Sequence, residues 1–134
     1  MADIHANGIT IHYECFGPPG CETILLIAGL GAQMIRWSVP FCREMAARGF
    51  RVIRFDNRDA GLSTHFGECP TPEFGAISEA LSQGRQPEAP YTLHDMTEDA
   101  IGLLDALSIE RAHLVGRTMG GMIAQLAASE HPLR

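Results

Sequence analysis

The chain has 134 residues, 46% apolar and 19% charged, with a net charge of −6 and no block of like charge. That is enough for a globular hydrophobic core, and the acidic balance argues against nucleic acid and anionic membrane as partners. No apolar run approaches the ~20 residues of a membrane span, and "MADIHANGIT" lacks the basic start and apolar core of a signal peptide, so the cytoplasm is the expected compartment.

In chain order, "GITIHYECFG" sets Ile9, Ile11 and Tyr13 on one face and Thr10, His12 and Glu14 on the other, which predicts a half-exposed strand. After a "PPGCE" turn, "TILLIAG" is apolar on both faces and predicts a buried parallel strand. Beyond the loop "LGAQMIRW", Ser38 can cap a helix that tolerates Pro40 in its first turn, runs through Met45 and stops at Gly49. "RVIRFD" predicts the next strand and "NRDAGLS" a tight loop at its end. Residues 66–91 are proline-rich and predict an irregular excursion with one short helix near Ala76–Leu81. "YTLHDMTEDAIGLLDAL" predicts an amphipathic helix at about 93–107, with Met96, Ala100, Leu103, Leu104 and Leu107 on its apolar face and Thr92 and Asp95 at its start. "AHLVG" is the last strand, and a final helix starts beyond Thr118 and stops near Pro132.

Strands alternating with helices predict an α/β fold: a mostly parallel sheet of about five strands flanked by helices, as a single domain over residues 1–134. Ligands in such sheets sit beyond the carboxyl ends of the strands, where "AGLG", "DNRDAG" and "GRTMGG" are placed. The last of these has the layout of a nucleophile elbow, G-x-S-x-G between strand and helix, with Thr118 where serine is usual. Such a turn forces its central residue to positive φ. It needs Gly116 and Gly120 for clearance, and Gly121 is read as letting the helix approach the strand. The Met119 N–H then faces a developing oxyanion, and the Leu30 N–H of "AGLG" is the second expected donor. Asp56, Arg58 and Ser63 are read as a buttress tying these loops together through charge-assisted hydrogen bonds.

Four blocks in order, "LLIAGLGAQMIRW", "GFRVIRFDNRDAGLS", "YTLHDMTEDAIGLLDALSIERAHLVG" and "GRTMGGMIAQ", make the chain resemble the N-terminal half of an α/β-hydrolase core. It is most similar there to bacterial ester hydrolases near the polyketide methylesterases. The resemblance implies ester or acyl hydrolysis of a small molecule through the elbow nucleophile and an oxyanion hole, without a cofactor. Three departures stand out, one of them Arg117, a long cation beside the nucleophile position. The family's nucleophile is Ser, Asp or Cys, and its catalytic acid and histidine come later in the chain than Arg134. The resemblance therefore implies a truncated core that is inactive alone. Two other readings stay open: a non-catalytic binding or fragment module, and a dinucleotide-binding domain built on "GLGAQM" with Asp56 toward a ribose. Against the second, Met34 occupies the third glycine position and the helix start lies several residues further on.

Of the six histidines only His65 is expected near the carboxyl ends of the strands, and a loop role is the plainer reading. Met34, Met119 and Met122 are read as lining or core, and Trp37 as packing the loop onto the core. There is no lysine, which excludes Schiff-base chemistry and a P-loop. Cys15, Cys21, Cys42 and Cys69 form no C-x-x-C pair and are read as reduced thiols, and no metal motif is visible. The last strand, at His113 to Val115, is expected to be a bare sheet edge through which copies associate into a homo-oligomer.

Overall fold

A computed structural model describes residues 1–67, 71 and 73–134; Cys69 and the prolines beside it lie outside the described residues. Five strands form one sheet in the order β1-β2-β4-β3-β5, comprising β1 (Ala2–Ala6), β2 (Ile9–Phe16), β3 (Thr23–Ile27), β4 (Arg51–Phe55) and β5 (Ala112–Gly116). The β4-β3-β5 portion is parallel, and β2 joins it antiparallel through β4. β1 and β2 are a hairpin whose two-residue turn, Asn7-Gly8, has positive φ at both positions. That is the turn twist antiparallel strands favour.

The helices are α1 (Val39–Ala47), α2 (Phe74–Ser82), α3 (Leu93–Ala106) and α4 (Met119–Glu130), with a short 3-10 turn at Met34–Arg36. Local signals set their ends. The Ser38 hydroxyl accepts from the Phe41 N–H at the start of α1, and Gly49 takes φ 96° just past its end. Thr92 and Asp95 form a complete capping box on α3. α2 is the short helix expected inside the excursion.

Every residue of β3 is buried, and its alternation splits the core in two. Ile24 and Leu26 join Val52 and Cys42 beneath α1, while Leu25 and Ile27 join Ile53, Phe55, Leu103, Leu104 and Ile123 beneath α3 and α4. The half-exposed reading of β2 fails at His12, which is 8% exposed. The β1 hairpin brings Asp3 over its ring, 2.5 Å from Nδ1. Arg54 occupies an inward position of β4 and is 2% exposed. It pairs with Glu14, donates to the Trp37 carbonyl and lies over the Phe16 ring. β5 stands at one edge of the sheet, with His113 and Val115 exposed. Among the described residues no helix is long and apolar enough to cross a membrane.

Candidate active site

The loops after β3, β4 and β5 meet at one end of the sheet. The Arg117 N–H donates to the Ile27 carbonyl at 3.1 Å, carrying the β3–β5 ladder into the turn. Thr118 then takes φ 53° and ψ −121°, the positive φ expected of an elbow. For a β-branched residue this costs on the order of 1–3 kcal/mol. The geometry explains the glycines by what a Cβ would strike. At Gly116 it would overlap the Gly120 carbonyl, and at Gly120 the Ile27 carbonyl. At Gly121 the nearest atom is the Gly116 oxygen at 3.6 Å, an ordinary contact, so the reading of Gly121 as a close-approach glycine is corrected.

A further glycine, unassigned from sequence, belongs to the site. A Cβ at Gly29 would overlap Thr118 Oγ1 and come within 3.0 Å of the Arg117 carbonyl. The "AGLG" backbone thus lies directly against the hydroxyl. Among the described residues, neither the Leu30 N–H nor the Met119 N–H has a hydrogen-bond partner. Thr118 is exposed, at the mouth of a cleft of about 180 Å³ shared with Leu30, Arg36, Trp37 and Arg117. A larger depression of about 720 Å³ lies between α2 and residues 85–90 and brings no hydroxyl and oxyanion donors together in this way.

The buttress divides into two parts. Asp56 is 3% exposed and accepts from the Met34 N–H at 2.6 Å and from the Leu62 N–H at 3.0 Å. It joins the loop that carries Leu30 to the loop after β4. Gly61, at φ 55°, leaves room for the Asp56 carboxylate. Ser63 donates to the Asp56 carbonyl and accepts from the His12 N–H, and Asn57 donates to Ala28. Arg58 departs from the expectation. It turns away from the "AGLG" loop and forms a two-pronged pair with Asp99 of α3, both bonds 2.7 Å, beneath Phe66 and Tyr91. Those bonds raise the Arg58 pKa above its ordinary value, against the opposing pull of burial. Nearby, burial pushes the Asp59 carboxyl up, but bonds from the Tyr91 hydroxyl and Phe66 N–H hold it below the usual range. Hydrogen bonds from the Thr92 N–H and hydroxyl do the same for Asp95.

The Asp56 carboxylate is committed to two loop N–H groups, and α1 begins ten residues beyond Gly29. Both facts count against a dinucleotide site. Asp56→Ala should leave the Met34 and Leu62 N–H groups without their partner and cost ~2–3 kcal/mol, with the Leu30 amide resonance broadened or shifted. Unchanged stability with lost nicotinamide-cofactor binding would reverse this assignment.

Among the described residues no histidine lines the Thr118 cleft. His65 bonds the Gly61 carbonyl and lies 3.9 Å from Asp59. His94, His113 and His131 pair with Glu130, Glu22 and Glu98. Where α3 and α4 adjoin, Glu98, Glu130 and His131 bring potential metal-ligand atoms within 4.8 Å of one another. Sequence spacing hid this group because Glu98 lies on α3, while Glu130 and His131 lie at and just past the end of α4. Trp37 stacks on Phe41 and packs against the α1 side of the core, as expected, and its buried Nε1 has no partner among the described residues. Cys15, Cys21 and Cys42 are free thiols, and burial pushes the Cys42 thiol up.

Residues 22–134 match the family model described as alpha/beta hydrolase fold. The chain is 34% identical over 131 residues to a rhodomycin D methylesterase of Streptomyces sp. (strain C5), covering 98% of this chain and 38% of that protein. It is 33% identical over 124 residues to a putative carbamate hydrolase of Variovorax paradoxus (strain S110), covering 92% and 39%. The crystal structure of the enol-lactonase from Burkholderia xenovorans LB400 superposes with a TM-score of 0.76 at 29% identity, over 99% of this chain and 43% of that one. The chain thus spans about two-fifths of the length of these relatives.

Proposed function

Because the chain belongs to the alpha/beta-hydrolase family, we propose that Thr118 is the nucleophile position of a hydrolase for a small ester or carbamate-like acyl compound. In this reading the Leu30 and Met119 N–H groups stabilise the oxyanion. One observation carries it: Thr118 sits exposed at positive φ with its hydroxyl against the Gly29 backbone, and among the described residues neither the Leu30 nor the Met119 N–H has a hydrogen-bond partner. The methylesterase, carbamate hydrolase and enol-lactonase relatives support the acyl-transfer class. The bare edge of β5 is the surface the same proposal assigns to pairing with a second copy.

A hydroxyl nucleophile needs a base in reach and a group to orient that base. No histidine reaches the Thr118 cleft among the described residues, so the 134-residue chain is inactive alone in this proposal. Thr118→Ser should relieve strain and raise stability by ~1 kcal/mol, yet a fluorophosphonate probe should label neither form of this chain. In a chain extended to the relatives' length, supplying an acid and a histidine, Thr118→Ser should be labelled at 118. It should also turn over p-nitrophenyl acetate on the order of 10²–10⁴ times faster than the short chain. No labelling there would remove Thr118 from the nucleophile role, and labelling of the unaltered short chain would refute its inactivity. A binding module without turnover is the second reading, favoured by threonine at the elbow.

A further inference from the structure

The cleft beside Thr118 is lined by two arginines from different loops, Arg36 at the end of the 3-10 turn after β3 and Arg117 within the elbow. Among the described residues the arginine ion pairs are those of Arg48, Arg54, Arg58 and Arg134. Among the described residues Arg36 and Arg117 are in no ion pair, and both are exposed. Two arginines outside those ion pairs thus line one small cavity in a chain of net charge −6. The start of α4, with its unoccupied Met119 N–H, adds the positive end of a twelve-residue helix. An oxyanion hole meets negative charge only as the transition state forms. Two further cations beside it suit a charge the substrate carries from the outset.

We propose that this cleft selects a substrate bearing its own carboxylate a few bonds from the carbonyl under attack. The carboxylate sits between Arg36 and Arg117, and the scissile carbonyl lies over Thr118. A guanidinium fits a carboxylate through two parallel N–H bonds, which fixes orientation as well as adding attraction. The volume of about 180 Å³ suits a short acyl group, being smaller than the ~300–1,000 Å³ of sites for drug-sized ligands. The proposal rests on the acyl-hydrolase reading and adds the substrate's charge to it.

Amide NMR titration of the 134-residue chain tests the proposal without needing turnover. Monomethyl succinate is the anionic half-ester, dimethyl succinate its neutral counterpart, and sodium sulfate a plain anion. The half-ester should shift the Leu30, Thr118 and Met119 amides and bind at least tenfold more tightly than the diester. The advantage should shrink as salt rises, and Arg36→Gln with Arg117→Gln should abolish it while the rest of the spectrum is preserved. Equal binding of half-ester and diester at those amides would overturn the charge selection and leave the hydrolase reading standing. An unaltered preference in the double variant would also overturn it. Sulfate binding as tightly as the half-ester would replace it with a nonspecific anion site. If neither ester reaches those amides, the hydrolase reading fails and the proposal falls with it.

Discussion

Gly120→Ala should cost about 4 kcal/mol or more, enough to unfold much of the population given the ~5–15 kcal/mol stability of ordinary domains. The added Cβ would overlap the Ile27 carbonyl and press on the Ala28 carbonyl, both backbone atoms at the end of β3. Neither can rotate aside as a side chain would. Moving them would break the Arg117 to Ile27 bond that carries the β3–β5 ladder into the elbow. Gly121→Ala is the control one residue away. Its Cβ meets nothing nearer than 3.6 Å, and alanine gains up to ~1 kcal/mol over glycine in a helix. Urea denaturation of both should show a collapsed midpoint for the first and an equal or higher midpoint for the second. Similar midpoints would mean the elbow is looser than its geometry indicates.

The second large effect is at Asp99. Its carboxylate receives both prongs of Arg58 and a 2.8 Å bond from Asn7 Nδ2, with the Asp99 side chain 2% and the Arg58 side chain 7% exposed. Asp99→Ala leaves a buried guanidinium without its counter-charge, which typically costs ~3–5 kcal/mol. Removing both charges with apolar residues of similar volume, Arg58→Met with Asp99→Leu, should cost less than Asp99→Ala alone. The expected signature is a strongly non-additive cycle in chemical denaturation. Additive losses would show that the two residues stabilise the fold independently.

What could be read from sequence was local. The Thr92–Asp95 capping box lies within one turn, the apolar run of β3 within five residues, and the elbow glycines within six. What could not be read depends on which loop meets which. Arg58 and Asp99 are 41 positions apart, and nothing near Arg58 says that α3 will pass over it. Gly29 reads as one glycine of a loop until the sheet order places it against Thr118. His12 reads as exposed because the β1 hairpin over it is invisible in the alternation of β2. Gly121 errs the other way. Sequence marks it as a glycine in a tight motif, and only coordinates show that a Cβ there would make no more than ordinary contacts.

The sheet order also sets a timetable for synthesis. β3 is hydrogen-bonded on one side to β4, which begins 28 residues after it (51 − 23), and on the other to β5, which begins 89 residues after it (112 − 23). At ~5–20 residues per second on the ribosome, the β5 side of "TILLI" stays open for on the order of 4–18 s. Throughout that interval a five-residue apolar strand without charge or proline, the sort of segment that seeds aggregates, waits for its last partner. Nascent chains stalled before residue 112 should therefore be strong clients for holding chaperones, and those that have released Gly116 should be much weaker ones.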